Sequence, residues 1–228
     1  MTKHKIHSII LARGGSKGIK NKNIIIINNK PLIYWSIKTS LKSKMISNTW
    51  VSSDNLKILK LAKKFGAKII LRPRRLSKDK SSSDEAWFHA VKEIKKRYKI
   101  THVVGIQPTS AIRESKDFDK ALKKFFKEKY DSLFSANKKD GAFSWIIGSK
   151  LKPDYNLKFR PRRQDLPIKI SENGSFYIFS VEKFLRKKNR LFGKIGYHLL
   201  ERYKSFEIDT LEDIPIVESI LKSFSKKI

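Results

Sequence analysis

An α/β fold with a mainly parallel sheet is predicted by two features of this sequence. Short apolar runs and helix-period segments alternate through its first two-thirds, the order that parallel strands with crossover helices require. The first run, Ile6-His7-Ser8-Ile9-Ile10, feeds directly into Leu11-Ala12-Arg13-Gly14-Gly15-Ser16-Lys17-Gly18. A Gly-rich basic turn at that point lies where open α/β sheets bind ligands, beyond the carboxyl end of a strand. Strands are expected at 6–11, 49–52, 68–71, 102–106 and 132–135. A first helix opens at Pro31, whose fixed φ suits a first helical turn, and carries Leu32, Ile33, Ile37 and Leu41 at helical spacing. A second runs over about 56–65 and stops at Gly66, a residue suited to the position after a helix end. A third spans about 84–98, and a fourth spans about 115–127, with Ser115 as its expected N-cap. Between about 141 and 167 the alternation breaks into Pro, Arg and aromatic residues, as in a long functional loop or a protruding arm. A strand at 175–180, a short helix at 181–187 and a last helix at about 211–224 complete the chain, which reads as one unit over 1–228 with an inserted arm.

Composition narrows the function classes. With no cysteine among 228 residues, disulfides, thiol chemistry and thiolate metal sites are excluded. No apolar run reaches the roughly 18 residues of a membrane span, and no signal peptide is read, so a cytoplasmic, soluble protein is expected. The net charge of +31 suggests nucleic acid. Lysine is nevertheless spread along the whole chain together with abundant Ile and Asn, as a global bias of an AT-rich genome would produce. Only non-specific attraction to polyanions is expected from it.

The turn after the first strand has the makeup of a phosphate cradle, because glycines let backbone N–H groups approach phosphate oxygens and the cations offset their charge. It is neither GxxxxGK[ST] nor GxGxxG, so neither a Walker A loop nor a dinucleotide site is supported. A strand-to-helix turn with solvated charges is the other reading. Three more polar clusters are expected on the same rim: Ser52-Ser53-Asp54-Asn55, Gln107-Pro108-Thr109-Ser110 and Glu207-Ile208-Asp209. A carboxylate such as Asp209, at a strand end beside a phosphate loop, is what Mg²⁺ needs to complete an octahedron of phosphate oxygens and water. Alternatively Asp209 or Thr210 caps the last helix, with Asp213 as a favourable charge inside it. The run Arg160-Pro161-Arg162-Arg163-Gln164-Asp165 suits an anionic ligand or a solvated loop. No Ser/His/Asp triad is apparent, and His89, among Ala86, Trp87 and Ala90, reads as a packed or capping residue.

Taken in order, these residues match a known family. Ala12-Arg13-Gly14-Gly15-Ser16-Lys17-Gly18 with Lys22-Asn23 resembles the nucleotide-binding motif of the CMP-sialic acid synthetases, the acylneuraminate cytidylyltransferases. Val51-Ser52-Ser53-Asp54, Gly66-Ala67 before Arg72-Pro73, Leu76 with Asp79, and His89-Ala90 come next in register. So do Gln107-Pro108-Thr109-Ser110 with Arg113, Arg163-Gln164-Asp165-Leu166-Pro167, Glu172-Asn173-Gly174 with Tyr177, and Ile208-Asp209-Thr210 with Glu212-Asp213.

The resemblance implies a Rossmann-like nucleotidyltransferase fold with helices on both faces of the sheet, and a homodimer whose inserted arm closes the partner's site. It implies that CTP and a nonulosonic acid, a nine-carbon acidic sugar, give the CMP-sugar and pyrophosphate. Arg13 and Lys17 would hold the triphosphate, and Ala12, Gly14, Ser16, Asn23, Arg72 and Ser83 would help seat the nucleotide. Asp209, with Glu207 as a further carboxylate, would bind Mg²⁺. Gln107, Thr109, Ser110 and Tyr177 would face the sugar, and Arg163, from the partner subunit, would meet its carboxylate, for which an Arg fork is well shaped. Several positions depart from the family pattern: Glu207 replaces the first Asp of Asp-Ile-Asp, Ala111-Ile112 replaces Pro-Leu, and Ile170 stands where an aromatic is frequent. Gly18 after Lys17 resembles the sialic and legionaminic branches more than the pseudaminic or Kdo ones. A basic nucleic-acid-binding protein is the alternative from another class.

Overall fold

The computed structural model describes residues 4–16, 18–139, 143–160 and 162–224. Its strands are β1 (Ile6–Leu11), β2 (Ile26–Ile27), β3 (Lys30–Pro31), β4 (Asn48–Ser53), β5 (Lys68–Leu71), β6 (His102–Ile106), β7 (Ser132–Lys139), β8 (Trp145–Ile146), β9 (Lys152–Pro153), β10 (Lys169–Ser180) and β11 (Ile195–Leu199). Seven of them form one sheet in the order β11-β7-β10-β6-β1-β4-β5. β1 runs parallel to β4 and β6, β4 to β5, and β7 to β11, whereas β10 runs against both of its neighbours. The helices are α1 (Leu32–Leu41), α2 (Leu56–Lys64), α3 (Ser83–Lys95), α4 (Ser115–Lys127), α5 (Val181–Lys187) and α6 (Asp213–Phe224). The mainly parallel α/β sheet expected from the sequence is the observed one.

Strand side chains alternate between the two faces of a sheet, and the core is divided accordingly. Ile6, Ile10, Val51, Val104 and Ile178 face Ile33 and Ile37 of α1, Ile58 and Leu59 of α2 and Phe118 and Leu122 of α4. Ile9, Trp50, Val103 and Phe179 face Trp87 and Val91 of α3 and Phe184 of α5. Helices therefore cover both faces, and β1 is buried almost throughout, His7 and Ser8 included. Trp87 is fully buried, and its indole N–H donates to the Ile9 carbonyl at 3.2 Å; truncation to Ala would cost about 3–5 kcal/mol. A third cluster packs α6, through Val217 and Leu221, on Ile19, Trp35, Ala111, Ile112 and Ile208. It holds the C-terminal segment against the loops that succeed β1 and β6.

Local signals account for most element ends. The Asn55 side chain accepts from Lys57 N and Ile58 N to start α2, and Ser82 with Glu85 closes a capping box on α3. The N-cap of α4 is Glu114 rather than Ser115, because Asp117 reaches back to accept the Glu114 N–H at 2.8 Å. Likewise α6 starts at Asp213, whose carboxylate gathers the N–H groups of Asp209 and Thr210. β7 and β10 are longer than expected, since they pair as far as Lys139 with Lys169, across a register shift between Glu172 and Tyr177. β11, an edge strand with alternate residues exposed, has no counterpart among the expected strands.

The segment expected to be an arm is the insertion between β7 and β10. There, among the described residues, β8 pairs only with β9, and Trp145, Ile146, Leu157 and Phe159 are exposed, with Ile147 reaching 89%; positions 141, 142 and 161 lie outside the described residues. Among the described residues no helix is long and apolar enough to cross a membrane.

Candidate active site

The loops after β1, β5 and β6 meet at the carboxyl rim of the sheet. A cleft of about 500 Å³ opens between them, lined by Arg13, Ser16, Asn23, Arg72, Ser83, Gln107, Thr109 and Asp209. Eight residues singled out in the sequence are thus gathered in one place. The Glu207–Asp209 segment comes to the rim by another route than the strand end expected for it. It succeeds a 3-10 turn over Arg202–Ser205 and hangs on the β6 loop, where Ile208 N donates to Thr109 O at 3.1 Å.

The turn after β1 is built from the backbone outward. Ala12 is buried, its N–H donating to Ser52 O at 3.0 Å; Gly14 N donates to Asp54 Oδ1 at 2.9 Å. Asn23 Nδ2 donates to Arg13 O at 2.9 Å and so pins the two ends of the loop together. Ala12 and Gly14 shape the loop beneath the cleft rather than line it. Arg13 Nη1 lies 3.0 Å from Asp79 Oδ1, so the cation is already presented over the cleft. Lys17 lies outside the described residues.

Arg72 carries the clearest electrostatic signal. It is only 5% exposed, and among the described residues its Nε and Nη2 atoms have no hydrogen-bond partner. Burial pushes the guanidinium below its ordinary value; nearby Arg13 adds to the effect and Asp54 opposes it. A buried cation with unfilled donors on a cleft wall is a site for an anion or for a ring carrying acceptor atoms.

The Glu207–Asp209 segment brings carboxylates to the cleft, Asp209 on its lining and Glu207 behind it. Glu207 Oε1 accepts the Ser110 hydroxyl at 2.8 Å, so the Ser110 side chain is committed to Glu207 rather than to the cleft. Burial raises the Glu207 carboxyl, with Asp209 adding to the rise. Beneath them the fully buried Arg113 donates to the carbonyls of Gln107, Ser110 and Ser175 and to Ser36 Oγ, which locks the Gln107–Ser110 turn in shape. Lys204, 1% exposed, lies within 2.9 Å of carboxylate oxygens of Glu114, Asp117 and Glu201, and ties the turn before Glu207 to the start of α4. Those three carboxylates are grouped closely enough for a metal ion, but the Lys204 ammonium already serves them. Asp209 is the candidate metal ligand: its carboxylate is 67% exposed on the cleft lip and already holds a cation, the Lys22 ammonium, 3.0 Å from Oδ1. One exposed carboxylate facing a polyphosphate-sized cleft, with Glu207 behind it, fits Mg²⁺, which takes one or two carboxylates and phosphate oxygens.

A second cavity of about 470 Å³ lies beyond Glu207 and is lined by Asn137, Lys138, Lys139, Glu172, Asn173 and Arg202. Tyr177 sits below it, buried against Trp87 and Arg190, and its phenol donates to Glu172 Oε2 at 3.0 Å. Tyr177 therefore acts on this cavity through Glu172. Arg163 begins a 3-10 turn over Arg163–Asp165, and its side chain lies outside the described residues. Sequence reasoning assigns no role to Lys22, Glu172, Lys138, Lys139 or Arg202. Lys22 and Glu172 stand within the quoted motifs, but the three other cations are indistinguishable from the lysines and arginines spread through the chain.

The sequence profile of the family described as Cytidylyltransferase matches residues 7–223. N-acylneuraminate cytidylyltransferase A of Danio rerio is 34% identical over 226 residues, which are 96% of this chain and 51% of that protein. The chain thus spans about half the length of such curated relatives. Pseudaminic acid cytidylyltransferase of Campylobacter jejuni subsp. jejuni serotype O:23/36 (strain 81-176) is 30% identical over 220 residues, 94% of this chain and 95% of that protein. Among solved structures, a CMP:2-keto-3-deoxy-manno-octonic acid synthetase complexed with CTP aligns with a TM-score of 0.72 at 14% identity, over 96% of this chain and 99% of that one. At that identity the likeness speaks for the fold alone.

Proposed function

Because this chain belongs to the cytidylyltransferase family, we propose that it transfers the cytidylyl group of CTP to a nonulosonic acid of the sialic or legionaminic type. Pyrophosphate is the second product. The observation that carries this reading is the buried Arg72 guanidinium, whose Nε and Nη2 have no partner among the described residues, on a cleft that also presents Arg13 and the exposed Asp209 carboxylate. Cations for a nucleotide and a carboxylate able to bind a metal, on one cleft, suit a nucleoside triphosphate better than a neutral ligand.

In this mechanism Arg13 and Lys17 hold the triphosphate, and Arg72 with Ser83 seats the cytidine. Asp209, with Glu207 behind it, would hold Mg²⁺, which would supply charge neutralisation and polarisation at the phosphates. The sugar lies toward the second cavity, between Gln107 and Asn173, where Lys138, Lys139 and Arg202 surround the space for its carboxylate. The anomeric oxygen then bonds the α-phosphorus in line as the bond from that phosphorus to the β-phosphate oxygen breaks, the hydroxyl proton passing to solvent and pyrophosphate leaving. Such transfers depend chiefly on positioning and charge neutralisation. The exposed apolar arm supports a homodimer in which Arg163 of one subunit reaches the sugar carboxylate in the other. A cytoplasmic site of action belongs to the same reading.

The deciding experiment is pyrophosphate release with Mg²⁺ and CTP across N-acetylneuraminic, legionaminic, pseudaminic and Kdo-type acids, with the product confirmed by mass. Turnover with the first or second supports the proposal, and turnover only with pseudaminic or Kdo-type acid moves the protein to that branch. Absence of both CTP binding and turnover, with salt-sensitive and sequence-preferring nucleic-acid binding, overturns it in favour of the basic nucleic-acid-binding alternative.

A further inference from the structure

Lys22 already holds Asp209, the carboxylate proposed for the metal. Its Nζ donates to Asp209 Oδ1 and to the Ile208 carbonyl, both at 3.0 Å, and its side chain is 13% exposed while that of Asp209 is 67% exposed. The same lysine lines the nucleotide cleft. Its position is fixed at the backbone, because Lys22 opens the 3-10 turn Lys22–Ile24 just after left-handed Asn21 (φ 55°). Nearby, a Cβ on Gly18 would lie 2.8 Å from Asp209 O, so loop and carboxylate segment are packed in direct contact.

A divalent ion sits about 2.0–2.1 Å from a carboxylate oxygen. An ammonium 3.0 Å from the same oxygen would then face a double positive charge at close range, with part of its solvation already lost. Both cations cannot keep that oxygen cheaply. The group that can receive the displaced ammonium is an anion entering the cleft that Lys22 already lines.

Resting on the nucleotidyl-transfer reading, we infer that Lys22 is a place-holding cation at the Asp209 site, which gives up the carboxylate to a divalent metal and turns to the incoming triphosphate. Metal binding to the nucleotide-free protein is therefore opposed by Lys22. Metal and CTP binding are coupled, because the nucleotide supplies the counter-charge that the displaced lysine needs. Lys22 thus positions the carboxylate before the reaction and touches phosphate during it.

The test is Mn²⁺ titration of the nucleotide-free protein, monitored by electron paramagnetic resonance, on the wild type, Lys22→Met and Lys22→Gln. Both variants are expected to bind Mn²⁺ about three- to tenfold more tightly and to bind CTP in EDTA more weakly. Lys22→Gln keeps a donor toward Ile208 should Met disturb the turn. Lys78→Met removes the same charge from the lining of the same cleft and is expected to change Mn²⁺ affinity less than about twofold. In an Asp209→Asn background the gain from Lys22→Met should vanish. Equal Mn²⁺ affinity in wild type and both Lys22 variants, an equal gain in Lys78→Met, or binding in none of them overturns the inference. Pyrophosphate release by the wild type is scored separately, so a failure of the cytidylyl-transfer reading leaves the metal result distinguishable.

Discussion

Gly174 and Glu207 exclude each other's growth: a Cβ on Gly174 would stand 2.8 Å from Glu207 Oε1 and 3.1 Å from Gln107 Oε1, and Gly174 itself holds φ at +65°. The bulge in β10 thus brings a backbone without a side chain against the half-buried carboxylate that lines the second cavity.

Gly174→Ala is expected to lose about 1–2 kcal/mol from its left-handed backbone, a fall of roughly 3–6 °C in Tm for a chain of this size. It should also raise the sugar KM by displacing Glu207 and Gln107. In a Glu207→Ala background the added effect on KM should shrink, since the two residues share one space. Full additivity would remove the link.

Arg72→Met separates binding from folding. Burial of the guanidinium with Nε and Nη2 unpartnered costs the empty protein stability, so the ligand-free variant should melt at the wild-type temperature or above it. Its CTP affinity should fall about 10–100-fold, the worth of hydrogen bonds to a charged group. A large drop in the ligand-free melting temperature would make Arg72 a structural residue.

Lys17 and Arg163 are proposed to serve one site from two subunits. Lys17→Ala should lose most turnover while remaining folded, and Arg163→Ala should raise the sugar KM more than that of CTP. Mixing the two variants under subunit exchange should restore about a quarter of wild-type activity, because half the dimers then carry one intact site. No recovery would place Arg163 in its own subunit's site or outside it.

Stability should fall as the pH drops from about 6.5 to 4. Burial lowers His7 to about 4, helped by the charges of Lys68 and Lys5, and the Trp50 indole N–H donates to its Nδ1 at 3.2 Å, which requires an unprotonated nitrogen. Burial, helped by His4, lowers His102 to about 4 as well. Over that window the unfolded chain binds protons the folded one refuses, so acid favours unfolding, by up to about 3 kcal/mol for His7. Urea midpoints at several pH values should show this slope, and His7→Gln should flatten part of it; an unchanged slope would dismiss His7 as its source.

Local pattern alone locates β1, β5, β6 and α4. Continuous apolar runs and helical spacing depend only on near neighbours in the chain. Ligand-facing residues of the turn after β1 and of Gln107–Ser110 are legible for the same reason, since glycines, cations and polar groups at strand ends announce themselves locally. The chain beyond Lys139 is less legible. The length of β10, the presence of β11 and the start of α6 depend on pairing partners and on the Asp213 carboxylate.

Where charges are dispersed, sequence position says little about role, and only folding distinguishes them. Lys204 and Arg113 are interior cations that hold loops, Lys22 rests on Asp209, and Lys138, Lys139 and Arg202 surround one cavity. The sequence by itself determined the fold class and the residue types at the rim, because periodicity and turn chemistry are short-range. Tertiary structure decided which carboxylate meets which cation, because those encounters join residues as far apart as Lys22 and Asp209. Their strength depends on burial and distance, which exist only once the chain has folded.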